Sequence, residues 1–191
     1  MAAIIPTDKP YFRVGIFETY RKRMPWLLLL MISATFTGAI ITKYTNALSS
    51  YVILTAYIPM LMDTGGNAGS QASVSIIRGL SLGEVEFSDI FKTIWKEVRV
   101  AVLCGLTLSL TNFVKLLVLD HLQLKIALIV CITLVLVVCF AKLVGCTLPL
   151  VAAKIGFDPA VMASPLITTI VDAISLSVYF ALATSMLHLA T

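Results

Sequence analysis

Asp63 and Asp172 are the two side chains in this sequence best placed to do chemistry. Asp63 belongs to Pro59-Met60-Leu61-Met62-Asp63-Thr64-Gly65-Gly66-Asn67-Ala68-Gly69-Ser70-Gln71, a polar, glycine-rich run entered from an apolar helix that begins near Tyr51. Asp172 belongs to Ser164, Thr168, Asp172, Ser175 and Tyr179, whose spacings of four, four, three and four put five polar side chains on one helix face. At about 1.5 Å per residue, Asp63 lies roughly 18 Å from Tyr51 and Asp172 roughly 20 Å from Asp158, both deep in a hydrocarbon core about 30 Å thick. An ionised carboxylate at that depth costs about 2.5 to 3.5 kcal/mol on insertion scales, so it must face water, a partner or an ion rather than lipid. A bound cation offsets the cost of two. Carboxylates, hydroxyls and amides form the oxygen ligand set of hard cations, without the histidine or cysteine cluster that zinc or copper would want. Mg²⁺ fits this set because it dehydrates reluctantly and is commonly held through one or two carboxylates with its waters retained; calcium and manganese fit nearly as well. Gly65 and Gly69, extended by Ser73, also form a small-residue face that lets another helix backbone approach.

The elements that position these residues follow from composition. Of 191 residues, 59% are hydrophobic and 13% charged, against about 45–50% and 25% in globular proteins, which marks an all-α integral membrane protein. Apolar runs predict five transmembrane helices, at about 24–42, 51–77, 100–119, 125–153 and 160–189, with Pro59 kinking the second. Residues 1–23 form a cytoplasmic or interfacial amphipathic segment, with Phe12, Ile16 and Tyr20 on one face, and 24–191 the pore domain. Ser88 is expected to cap a helix running unbroken into the third span, and Gly156 and Asp158-Pro159 to end the fourth and begin the fifth. Lys115 and Lys142 are expected to snorkel to interfaces, a pore-facing position remaining open for Lys142. Cys104, Cys131, Cys139 and Cys146 lie in apolar runs without C-x-x-C spacing and read as small hydrophobes.

The formal net charge of +4 is distributed as topology requires, not as a nucleic-acid site. Eleven lysines and arginines fall on one side of the spans, and only Lys43, Lys115 and Lys125 on the other, which puts the N-terminus in the cytoplasm and the C-terminus outside a plasma-membrane protein. His121 and His188 then sit at separate outer helix ends and make no metal site.

Rival functions are weighed on the same residues. Gly65-Gly66-Asn67-Ala68-Gly69 lacks the strand before it and the Lys-Ser/Thr after it that a phosphate loop needs. Paired aspartates could share a proton in an intramembrane protease, but no protease motif accompanies them. A non-transporting membrane anchor explains the spans and leaves the polar face without a purpose. A cation-coupled divalent metal carrier remains the alternative to a channel, although five spans show no inverted repeat.

The run from Pro59 to Gln71, then Asp158-Pro159-Ala160, then Pro165-x-x-Thr168-Thr169-x-x-Asp172 followed by Tyr179, resembles the transmembrane domain of the MgtE family of magnesium channels, in order and with matching spacing over about residues 20–190. The resemblance implies no enzyme but a Mg²⁺-selective channel. It implies a homodimer in the lipid bilayer with a central pore built from the second and fifth helices of both subunits, and a hydrated Mg²⁺ held by Asp172 of each. Asp63, Asn67, Ser164, Thr168, Thr169 and Ser175 become pore-lining candidates, with Asn67 and Ser164 toward the cytoplasm. Members of that family carry cytoplasmic N and CBS modules before the membrane domain. No such region precedes Met24 here, so the expectation is a membrane domain whose cytoplasmic regulatory partner is absent from this sequence. Some relatives have Asn where Ser164 stands and a neutral polar residue where Lys142 stands.

Overall fold

A computed structural model describes residues 11–44, 49, 51–160 and 165–188. Helices dominate, and no strand occurs among the described residues. Five α-helices are given by the described residues: α1 (Ile16–Lys43), α2 (Ile58–Ser81), α3 (Ile90–Val118), α4 (Leu124–Lys154) and α5 (Pro165–Leu187). Four stretches, Ile16–Lys43, Phe87–Val118, Leu124–Lys154 and Leu166–Leu187, are long and apolar enough to cross a membrane. At 24 residues α2 is also long enough, but its polar motif lowers its hydropathy below theirs. The chain is a multi-pass membrane protein.

The centre of the bundle is α4, which packs on α2, α3 and α5, while α2 also packs on α5 and α1 on α5. Apolar residues surround α4 because its long uncharged run has buried faces toward three neighbours, among them Ile129, Val130, Leu134 and Val137. One cluster joins Ile129, Val130 and Leu134 to Leu61, Leu116, Leu176 and Phe180. No residue of α1 is buried. Its contact with the bundle is at its C-terminal end, where Tyr44 stacks on Phe180 with ring centroids 4.9 Å apart.

Local chemistry explains several boundaries that differ from expectation. No helix boundary falls at Met24, because α1 continues through Pro25, with Lys22 pairing with Glu18 at 3.1 Å one turn earlier. The α-helix of the glycine-rich motif starts at Ile58, not near Tyr51, after a 3-10 turn over Val52–Tyr57. Pro59 therefore occupies the first helical turn, where its missing N–H has no intrahelical partner to lose, and it starts α2 instead of kinking it. From there Asp63 through Gln71 run as continuous α-helix. Before α3, a 3-10 turn over Phe87–Asp89 is closed by a reciprocal capping box between Glu86 and Asp89, so Ser88 is not the cap. The continuity of that segment with the third span is as expected.

At the far end of α4, Gly156 adopts φ of +80°, and the N–H groups of Gly156 and Phe157 donate to the carbonyls of Ala153 and Ala152 at 3.2 and 2.9 Å. This left-handed cap ends the helix where the sequence placed its glycine. Asp158 Oδ1 accepts from the Ala160 N–H at 2.9 Å, closing a local turn; α5 is described from Pro165 onward.

Candidate functional site

Glycines of α2 create the site by removing bulk. A Cβ on Gly65 would lie 2.7 Å from Val137 Cγ1 and 2.8 Å from Val171 Cγ1, and one on Gly69 would lie 3.0 Å from the Ala141 carbonyl oxygen. Side chains at these positions would push α2 away from both α4 and α5. On the opposite face of the same helix Asp63, Asn67 and Gln71 recur every fourth residue, and all three are exposed within the protomer. Helical rather than turn geometry is what produces this division, with small residues inward and polar residues outward.

Asp63, Gly66 and Asn67 of α2 and Thr168 and Asp172 of α5 line one groove of about 400 Å³, with Ile58, Pro59 and Met62 also in its lining. Asn67 Nδ2 donates to Asp63 Oδ2 at 3.1 Å, orienting that carboxylate along the helix. Gly66 admits Thr168 to the groove wall, since a Cβ there would come 3.0 Å from Thr168 Cγ2. Asp172 is partly buried and lines the same groove as Asp63, so two carboxylates share a small space. Four sequence candidates from two distant segments are thus brought together.

The remaining candidates separate. Ser175 is 1% exposed, donates to the Val171 carbonyl at 2.7 Å and packs against Gly65, away from the groove lining. Tyr179 is fully buried and donates its hydroxyl to the Leu54 carbonyl at 2.9 Å. Thr169 is partly buried and does not line the groove. Ser164 lies outside the described residues.

Lys142 corrects its sequence reading: it is 6% exposed and faces Glu97 across α4 and α3 at 3.7 Å, instead of reaching an interface. By charge alone Glu97 reads as part of a solvated connection before the third span. The spacing of Thr93, Glu97, Ala101 and Gly105, all buried, would have revealed it on the inward face of α3. Lys115 reaches the connection between α3 and α4 at the end of its span. Its Nζ pairs with Asp120 Oδ2 at 2.6 Å and lies 5.7 Å from the Tyr57 ring centroid, while Tyr57 donates to the same carboxylate oxygen at 2.9 Å. Of the cysteines, Cys131 and Cys146 are buried as expected, whereas Cys104 and Cys139 are partly exposed; all four are free thiols. Among the described residues no three histidine, cysteine or carboxylate groups gather as a metal cluster. Metal recognition here would rely on two carboxylates supplemented by amide and hydroxyl oxygens.

Two carboxylates, an amide and a hydroxyl on one groove of a multi-pass helical membrane protein are an oxygen donor set of the kind hard cations take. The MgtE family, described as divalent cation transporters, matches over residues 58–182, and the chain belongs to that family, one of transporters and not of enzymes. The chain is 33% identical over 188 residues to the magnesium transporter MgtE of Thermus thermophilus, covering 98% of this chain and 41% of that protein. It is 32% identical over 167 residues to the magnesium transporter MgtE of Bacillus subtilis, covering 87% of this chain and 37% of that protein. The chain spans about two-fifths of the length of the curated relatives it matches.

Proposed function

We propose that this chain forms the conducting part of a Mg²⁺ channel, with a hydrated Mg²⁺ held by Asp172 from two subunits. The observation that carries the reading is the shared groove of Asp63, Asn67, Thr168 and Asp172, in a chain whose curated relatives are named magnesium transporters. One Asp172 cannot surround a hydrated ion, so a two-fold axis beside the groove would supply a second set of ligands. The exposed stripe of Asp63, Asn67 and Gln71 supports that arrangement, because it leaves the protomer a polar face that lipid cannot cover. Bias of lysine and arginine supports an N-terminus in the cytoplasm and a C-terminus outside.

Inward passage then needs no coupling ion. A divalent cation crossing about 100 mV, negative inside, gains about 4.6 kcal/mol, twice the value per elementary charge, which sustains a gradient above a thousandfold. The test is Mg²⁺ flux into liposomes holding the purified chain. Current reversing at the Mg²⁺ equilibrium potential is the result expected of a channel. A reversal that follows a second ion would identify a coupled carrier, and no flux at all would leave an anchor.

A further inference from the structure

We infer that Lys142 is a tethered cation that bars metal ions from a second cavity on the other side of Asn67. This cavity, about 550 Å³, lies between α2, α3 and α4, with Thr64, Asn67 and Gln71 on one wall, Cys104 on another, and Lys142 itself in the lining. Asn67 borders both this cavity and the groove of Asp63 and Asp172, so an ion at Asn67 has two ways to go. The hydroxyl and amide oxygens of Thr64, Asn67 and Gln71 are ligand types that a hard cation accepts. What differs is the sign of the nearby charge.

Glu97 lies behind Lys142 and does not line the cavity. The side chains of the pair are only 7% and 12% exposed, and their 3.7 Å separation is longer than a direct charge-assisted hydrogen bond of about 2.7–2.9 Å. The carboxylate thus does not draw the ammonium out of the cavity lining. The cavity therefore presents positive charge, and the groove presents negative charge. The consequence for ion flow rests on the groove being the ion path proposed above; the charge preference of the cavity does not.

Cys104 reports on the cavity directly. The full chain in liposomes is treated with cationic and anionic methanethiosulfonate reagents of similar size, and labelling at Cys104 is followed by peptide mass spectrometry, with buried Cys131 and Cys146 as internal references. The parent is expected to react about tenfold faster with the anionic reagent, the effect of one unit charge a few ångströms away at intermediate dielectric. Glu97→Gln keeps or widens that preference, because the ammonium remains. Lys142→Gln inverts it, because the carboxylate then faces the cavity. The double variant K142Q/E97Q, which leaves neither partner buried and unpaired, abolishes it and carries the test if K142Q alone does not fold. A purely structural ion pair would move E97Q and K142Q in the same direction. That result, equal reagent rates in the parent, persistence of the preference in the double variant, or a Cys104 that neither reagent reaches overturns the inference. Labelling involves no ion flux, so its failure leaves the Asp172 reading to stand or fall separately.

Discussion

The Tyr179 hydroxyl donates to the Leu54 carbonyl at 2.9 Å across 125 residues of sequence, tying the far half of α5 to the 3-10 turn that precedes α2. Both residues are essentially inaccessible, at 0% and 1% exposure, so no water replaces a lost partner. Tyr179→Phe should therefore lower stability by about 1–3 kcal/mol, the cost of an orphaned buried carbonyl. Thermal unfolding in detergent, read by loss of the size-exclusion peak, checks this; an unchanged midpoint would show that the bond contributes nothing.

Asp172→Asn should abolish Mg²⁺ flux and leave folding intact. A unit charge and a divalent ion about 5 Å apart attract by roughly 7 kcal/mol at an effective dielectric of 20, before desolvation, and even a small net fraction exceeds a tenfold change in affinity. Asp63→Asn should do less, because Asp63 is the more exposed of the two and Asn67 already donates to it. Dye-reported Mg²⁺ uptake by liposomes compares the two variants, and a larger loss in Asp63→Asn would reassign the principal ligand.

Glycine contacts set up a third comparison. A Cβ on Gly145 would collide with the backbone of Gly69, whereas one on Gly38 meets nothing within 4 Å. Gly145→Ala should cost at least about 1–3 kcal/mol from forced separation of α4 and α2. Gly38→Ala should be neutral or stabilising by up to about 1 kcal/mol through helix propensity. Equal midpoints for the two variants in the same thermal assay would remove the basis for the α2–α4 contact.

Acid sensitivity is expected at the Asp120 loop. Lys115, hydrogen-bonded to Asp120, holds its carboxyl below the usual carboxylate range, with a lesser lowering from the Tyr57 hydroxyl, and partial desolvation opposes both. A depressed folded-state value means that the ionised group contributes stability above its unfolded value, about pH 4, and that this contribution is lost as pH falls through the lower folded value. Asp120→Asn should flatten the dependence of the unfolding midpoint on pH below about 4. A parent and variant with parallel acid limbs would assign the acid loss to other carboxylates.

Helix number, the paired aspartates and the glycine cap at Gly156 were legible because each leaves a local mark: hydropathy, charge in an apolar run, a left-handed backbone position. The course of the glycine-rich motif was harder to read. Gly65, Gly66 and Gly69 weaken an isolated helix, but here each faces a packed neighbour, and that tertiary contact overrides propensity. The polar face read on α5 divides between different surroundings, and its member Ser164 lies outside the described residues. Thr168 and Asp172 meet the groove, whereas Tyr179, two turns beyond Asp172, meets the chain before α2, which no periodicity within α5 can announce. The pairing of Lys142 with Glu97 is not legible in the sequence, because charge marks each only on its own helix and only the packing of α3 on α4 brings them together.

The backbone contact between Gly69 and Gly145 also sets how stiff each wall of the groove is. Where two main chains touch, no side chain can switch rotamer to absorb slippage, so α2 resists sliding past α4 by less than a full helical repeat, about 5.4 Å. The contact of α2 with α5 is different: Thr168, Val171 and Ser175 lie over Gly65 and Gly66, and such side chains roll over a flat surface. One wall of the groove, on α2, is therefore backed by a main-chain contact with α4, and the other, bearing Asp172, rests on α2 through side chains.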